Sequence, residues 1–205
     1  MKVELTHVNK QLIACGLHPE APYLGVHNII GVYHAHEWDH GYCEYGEKED
    51  EFMHRYNGTC RGFYADLSEM ASFLNQYFKD RAIIEFIAAP FHNHNQFKYI
   101  DDDYDIYREI KRFLMHYDIS DNSQAGIRLS VNEKEVIEML LEGAFRGVSL
   151  LGLFFPEANV LISPNHHFGI PFFTQNPNSE KEAIELLLKD FPNLKFYEKS
   201  TGIED

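Results

Sequence analysis

Apolar residues recur at helical spacing in four parts of the chain, and each part predicts an amphipathic helix. These parts are residues 66–80, 101–117, 132–144 and 179–191. Three of them open with the spacing of a capping box, in which a short polar side chain precedes an acid by three residues. The three pairs are Asp66 with Glu69, Asn132 with Glu135, and Ser179 with Glu182.

Strand patterns alternate with these helices. Residues 82–89 are almost all apolar, which predicts a strand covered on both faces. Residues 150–155 and 160–163 flank the turn 156–159 and predict a hairpin. Pro171 lacks an N–H, so we expect it at a sheet edge or at the start of a strand. Further strands are predicted at 26–33, 127–131, 170–174 and 194–197.

This order of elements predicts an α+β fold, with a mixed or antiparallel sheet and about four helices, because one connection is a hairpin. The length of 205 residues and the lack of a Gly/Ser-rich or Pro-rich linker predict a single domain, 1–205. Residues 1–62 show little helical pattern and are expected to be rich in loops and strand. Residues 63–205 alternate helix and strand, with the hairpin near 150–163.

Composition and charge narrow the class of protein. The chain has 32 acidic and 18 basic residues, a formal charge of −14, and this disfavours a nucleic-acid-binding protein. Glycine-rich phosphate-binding motifs and G-x-S-x-G are absent, which argues against common nucleotide enzymes and hydrolases. Three cysteines without a C-x-x-C pair, no secretory signal and no long apolar run predict a cytoplasmic protein.

Acidic and aromatic residues are interleaved in two stretches of the chain. Residues 37–51 contain seven acids and one base, and residues 99–107 form a second such run. Tyrosine and tryptophan supply large, rigid contact area, and an acidic field speeds the encounter with a basic partner. The candidate contact residues are Trp38, Tyr42, Tyr45, Asp50, Glu51, Asp102, Asp103 and Tyr104.

These stretches predict a binding protein that masks a basic surface on a protein partner, in preference to an enzyme. In composition the chain is similar to bacterial immunity proteins, and that likeness implies inhibition of a toxin. This interpretation predicts no nucleic acid, no membrane and no cofactor, and it leaves the oligomeric state open.

A cluster of histidines gives the alternative, a metal-dependent hydrolase. His34 and His36 share one side of an extended chain, and Asp39 and His40 follow directly. The run resembles the H-x-H-x-D-H motif of the metallo-β-lactamase superfamily, with one extra residue before Asp39, so we do not assign the chain to that superfamily. Imidazole and carboxylate donors suit zinc above all, or iron or manganese. The candidate ligands are His34, His36, Asp39, His40, His92 and His94.

Overall fold

Eight strands form one sheet in the computed structural model, which describes residues 1–19, 22–35, 60–90, 105–119, 125–145, 151–165 and 168–201. The order across the sheet is β1-β4-β3-β5-β6-β7-β2-β8, and every neighbouring pair is antiparallel. The strands are β1 Lys2–Glu4, β2 Asn28–His34, β3 Glu85–Pro90, β4 Ala125–Ser130, β5 Leu151–Phe155, β6 Val160–Ile162, β7 Gly169–Phe173 and β8 Leu194–Ser200.

Five α-helices accompany the sheet in the described part of the chain, which confirms the predicted α+β class. The antiparallel pairing of β5 with β6 confirms the predicted hairpin near 150–163. None of these helices has the length and apolar character needed to cross a membrane. Short 3₁₀ turns lie at Pro22–Gly25 and Leu188–Asp190. The α-helices are α1 Leu5–Ala14, α2 Cys60–Asp80, α3 Asp105–His116, α4 Lys134–Phe145 and α5 Pro177–Leu187.

The sheet is buried on both faces, by two separate hydrophobic clusters. The larger cluster joins α2, α3, α4 and α5 to one face, which we call the helix face. The smaller cluster lies on the opposite face, the α1 face, where Val8 and Leu12 of α1 are fully buried. Strand β3 serves both clusters, since Phe86 and Ala88 belong to the first, and Ile87 and Ala89 to the second. The predicted two-sided burial of this strand is therefore confirmed.

Helix α1 was not predicted, because residues 1–62 show little helical pattern and were expected to be rich in loops and strand. It has two fully buried side chains, and its N-cap residue Glu4 makes no side-chain capping bond. A ten-residue helix is marginal by itself, so packing on the sheet stabilises it more than local propensity does. The apolar pattern was too short to predict it.

The three predicted capping boxes are also wrong. Helix α4 begins at Lys134, and the Glu133 carbonyl accepts its first main-chain bonds, so Asn132 lies before the N-cap. Helix α2 begins at Cys60, which places Asp66 and Glu69 well inside the helix. Helix α5 begins at Pro177, and Ser179 lies within its first turn. Proline suits the first helical position, because its ring fixes φ near the helical value and its missing N–H has no intrahelical partner there. The local proline outweighed the more familiar Ser-x-x-Glu spacing.

Pro171 lies inside the sheet, in the middle of β7, and not at an edge or a strand start as expected. Its carbonyl accepts a hydrogen bond from the Ser163 N–H at 3.2 Å. Because the N–H and C=O of one strand residue face the same neighbour, its ring nitrogen faces β6. Strand β6 ends at Ile162, one residue before Ser163. The missing N–H therefore falls beyond the last residue of β6.

One end of the sheet gathers the strand termini that lead to the stretches singled out in the sequence. We call it the His34 end, because β2 terminates there at His34. The antiparallel registers place β3's end and the β6–β7 connection at this same end of the sheet. The strand residues at the His34 end are Glu4, Ala125, Pro90, Leu151, Ile162, Gly169, His34 and Leu194, in the order of the sheet.

Candidate functional site

His34 is the last residue of β2, and its side chain points to the helix face together with those of Ile30 and Val32. Its ring has no exposed surface. The Nε2 atom lies 3.3 Å from Oε2 of Glu69 and 3.4 Å from Oδ1 of Asp66. Because these acids are three residues apart on α2, both reach the same side of the helix. The ring therefore joins the end of β2 to α2.

Asn193 completes this polar group, which we call the His34 cluster (His34, Asp66, Glu69 and Asn193). Its Nδ2 donates to Oε2 of Glu69 at 3.1 Å, and its carbonyl accepts from the Ala35 N–H at 2.7 Å. The cluster thus connects the end of β2, the residue before β8 and the first half of α2. It fixes the end of β2, the strand that precedes residues 36–59 in the chain.

Phe168 lies beside the cluster in a backbone conformation that is rare for an aromatic residue, with φ 51°. Its carbonyl accepts from the His34 N–H at 3.2 Å. Its buried ring stacks on Phe145 with centroids 4.3 Å apart and meets Phe63 edge-on at 5.3 Å. These contacts hold the left-handed residue, which costs about 1 kcal/mol or more. Phe168 thereby fixes the turn between β6 and β7 next to His34.

Burial limits the chemistry that the His34 cluster can perform. An imidazole between two carboxylates is a familiar acid–base arrangement, but the His34 ring is closed to solvent and cannot touch a substrate in this structure. No group of three or more His, Cys, Asp or Glu among the described residues is arranged to hold a metal ion. The His34 cluster thus holds the end of β2 against α2.

Most of the predicted site residues lie outside the described ranges. This holds for every predicted partner contact: Trp38, Tyr42, Tyr45, Asp50, Glu51, Asp102, Asp103 and Tyr104. It holds also for five of the six predicted metal ligands: His36, Asp39, His40, His92 and His94. His34 alone among them is described, with the two carboxylates as its neighbours.

The described strand ends nevertheless show that the segments containing most of these residues begin at the same end of the sheet. Residues 36–59 follow β2, and residues 91–104 follow β3, so both continue from the His34 end of the sheet. His166 and His167 fall between β6 and β7 at the same end. Four strand spacings separate the ends of β2 and β3, which is about 19 Å.

A second buried polar group lies away from the His34 end. The Tyr77 hydroxyl donates to Oε2 of Glu180 at 2.7 Å, and the Arg81 guanidinium donates to Oε1 of the same carboxylate. Glu180 is only 2% exposed, and burial together with this carboxylate raises the pKa of Tyr77 well above its ordinary value. The three side chains join the C-terminal end of α2 to α5.

Sequence reasoning missed the partners of His34. Asp66 and Glu69 were assigned to a helix cap, and Asn193 was assigned no role. One signal was present, because two acids at helical spacing lie beside the apolar stripe that begins at Leu67. The contact itself joins residues 35 positions apart, which local patterns do not encode.

Comparison of the chain with protein-family models, with curated proteins and with solved structures found no match. Its functional interpretation therefore starts from the residues and their placement in the fold.

Proposed function

We propose that this protein binds a basic protein partner at the His34 end of the sheet and masks the partner's surface. The observation that carries the proposal is topological. The first acidic, aromatic stretch follows β2, and the segment that leads to the second follows β3; these two strands terminate at the same end of the sheet. Segments that are separate in sequence thus continue from one end of one sheet.

The spacing of the two strand ends suits a single partner. Their separation of about 19 Å is smaller than the width of a standard interface, which buries about 800 Å² on each side. One partner can therefore contact residues from both stretches at once.

Charge is concentrated in residues 36–59 and 91–104, the segments that follow β2 and β3, which contain all of the first acidic stretch and residues 99–104 of the second. Residues 36–59 contain seven acids and two bases, and residues 91–104 contain three acids and one base. These 38 residues carry −7, half of the formal charge of the chain. A concentrated acidic field accelerates association with a cationic surface, and this acceleration weakens as salt rises.

The His34 cluster supports the proposal by fixing where the first stretch begins. The contacts with Asp66 and Glu69 hold the end of β2, and Phe168 holds the neighbouring turn. A binding segment that starts from a fixed point loses less conformational freedom when it binds. The compositional similarity to immunity proteins extends the proposal to a toxin as the partner, met in the cytoplasm.

The test compares two variants of equal charge. The first neutralises predicted contacts, as Asp50→Asn, Glu51→Gln, Asp102→Asn and Asp103→Asn. The second neutralises exposed acids elsewhere, as Glu109→Gln, Glu135→Gln, Glu185→Gln and Asp190→Asn. Both change the formal charge from −14 to −10.

Each immobilised protein is offered cellular proteins at about 50 mM salt and eluted at about 500 mM, where charge interactions are screened. We expect a cationic protein that the wild type and the second variant retain and the first variant loses. Equal retention by both variants would contradict a site in these stretches.

The metal-dependent hydrolase stays a prediction, tested by a different measurement. We would determine zinc, iron and manganese in chelator-free protein after reconstitution, with His34→Ala/His36→Ala as the control. About one ion per chain, lost in the control, would establish a metal site and favour the hydrolase. A metal-free protein would exclude it.

A further inference from the structure

Strand β8 is the last strand of the sheet, and among the described residues it is paired on one side only, by β2. It is seven residues long, whereas the other outer strand, β1, has three. Long open strands are templates for the addition of a further strand. The open side of β8 is therefore a second surface to consider, separate from the His34 end.

Two hydrogen bonds identify which main-chain groups of β8 face outward. The Ala35 N–H donates to the Asn193 carbonyl, and the Thr201 N–H donates to the His27 carbonyl. In an antiparallel pair the bonded positions alternate, so the odd-numbered residues 195, 197 and 199 face β2. Phe196 and Glu198 consequently direct their N–H and C=O groups away from the sheet.

The side chains beside this open strand carry positive charge. Lys195, Tyr197 and Lys199 share the α1 face of the sheet, and both lysines are exposed. The Tyr197 ring lies across Gly31, where a Cβ atom would fall 2.6 Å from the ring. Tyr197 thereby covers Gly31, and Tyr33 lies beside it with ring centroids 6.1 Å apart. Lys195 Nζ donates to the Pro192 carbonyl at 3.3 Å.

The one carboxylate of β8 does not offset these lysines. Glu198 points to the helix face, where its Oε2 pairs with Lys181 Nζ at 2.9 Å and its Oε1 accepts from Asn28 Nδ2 at 3.1 Å. Lys181 also lies 5.3 Å from the centre of the Phe196 ring. The main-chain groups of Phe196 and Glu198 thus face away from β2 and pair with none of the described strands, and they lie between two exposed lysines in an otherwise acidic protein.

We propose that β8 binds an acidic peptide in extended conformation, as an added antiparallel strand. Its main chain would bond to Phe196 and Glu198, as in other cases of strand addition. Side chains opposite each other share a face, so acids four residues apart on the peptide would face Lys195 and Lys199. This site is independent of the proposed function, which requires a basic partner.

Charge also distinguishes this occupant from a second copy of the chain. In an antiparallel pair of two β8 strands within one sheet, the side chains opposite each other share a face. The residues of β8 on the α1 face are Lys195, Tyr197 and Lys199, and none is acidic. No register of that pairing would place a carboxylate opposite either lysine, and centring it on Tyr197 would oppose Lys195 to Lys199.

The experiment measures fluorescence anisotropy with a labelled peptide, Thr-Glu-Val-Thr-Val-Glu-Thr, whose glutamates would face the two lysines. A second peptide carries glutamine in place of glutamate. A third is N-methylated at both valines, which removes the main-chain donors toward β8. Sedimentation of the free protein measures self-association, and urea unfolding verifies that each variant folds.

Protein variants separate main-chain from side-chain binding. Glu198→Pro removes an outward N–H that β2 does not use, and Glu198→Ala removes the same carboxylate but keeps the N–H. Lys195→Gln/Lys199→Gln removes the charge beside the strand. Lys10→Gln/Lys79→Gln removes the same charge from exposed positions elsewhere.

We expect the acidic peptide to bind saturably, with a dissociation constant below about 1 mM. Glutamine in place of glutamate, N-methylation of the valines and the Lys195→Gln/Lys199→Gln change should each weaken binding at least about tenfold. Glu198→Pro should bind at least about tenfold more weakly than Glu198→Ala. No binding at 1 mM would overturn the proposal. Binding insensitive to N-methylation and to Glu198→Pro would overturn it too, because charge alone would explain it. A dimer abolished by Glu198→Pro would assign β8 to a second copy instead.

Discussion

His34 shows how one side chain can fix a boundary of the fold. Its main-chain N–H bonds to Phe168 across the sheet, and its ring meets two acids of α2. The ring is fully enclosed although β2 ends at this residue. A buried polar group that keeps its partners is retained at little net cost, whereas one that loses them is strongly unfavourable.

Replacing His34 by leucine should lower the free energy of unfolding by about 2 kcal/mol, because the Asp66 and Glu69 carboxylates lose their shared ring partner. Urea unfolding measures the change. Tyr33→Phe is the control, since the neighbouring side chain lies on the opposite face and is 41% exposed, and its change should stay within about 0.5 kcal/mol. Equal stabilities for wild type and His34→Leu would contradict the anchoring role.

Arg81→Met should be more costly, by about 3 kcal/mol, because it leaves the buried Glu180 carboxylate without its cation. Tyr77→Phe should cost about 1 kcal/mol, since Glu180 keeps its bond to Arg81. Unfolding free energies of the two variants give the comparison. A smaller loss for Arg81→Met than for Tyr77→Phe would contradict this order.

Tyr197 makes stability sensitive to alkaline pH. Burial raises the pKa of its hydroxyl to about 12, from the model-peptide value of 10. Between these values the unfolded chain loses the proton while the folded protein keeps it, so stability is complete below pH 10 and falls as pH rises toward 12. Ultraviolet titration should show a tyrosine that ionises near pH 12 and that Tyr197→Phe removes, while Tyr77, whose pKa is also raised, ionises late in both proteins. An unchanged titration curve would contradict the assignment.

At the scale of elements, the sequence predicts best what local pattern and burial both specify. Strand β3 and the β5–β6 hairpin are continuous in apolar residues and bounded by turns, and both form as predicted. Helix α1 has only a short stripe, and contacts with distant strands stabilise it. The cap of α5 was misplaced because proline chemistry at position 177 outweighed the Ser179 spacing.

The sequence predicted where the candidate site lies better than it predicted which residues contact one another there. Sequence pattern identified His34 and the stretches that follow β2 and β3. It could not pair His34 with Asp66 and Glu69, because the order of strands decides which helix passes the end of β2. The common end of β2 and β3 is likewise a property of an eight-stranded order that local spacing does not contain.

Helix α1 gives a test at this scale. Leu12 has no exposed surface, whereas the adjacent Ile13 is 62% exposed. Leu12→Ala should cost about 2–5 kcal/mol of unfolding free energy, because it opens a cavity between α1 and the sheet. Ile13→Ala should change it by less than about 0.5 kcal/mol. Similar losses for both variants, measured in urea, would contradict the packing of α1 on this face.

At the scale of the whole molecule, charge is unevenly distributed. Half of the formal charge of −14 belongs to two stretches that continue from the His34 end. The open side of β8 instead carries two exposed lysines. The two proposed sites therefore differ in the charge of the partner they would bind, and partners of opposite charge need not compete for them.

The most direct test of the central proposal is the dissociation constant of the captured basic partner, measured by isothermal titration calorimetry for the two charge-matched variants. We predict that the Asp50/Glu51/Asp102/Asp103 variant binds at least about tenfold more weakly than the Glu109/Glu135/Glu185/Asp190 variant, with a gap that narrows between about 50 and 500 mM salt. Equal dissociation constants for the two variants at low salt would contradict binding through the stretches at the His34 end.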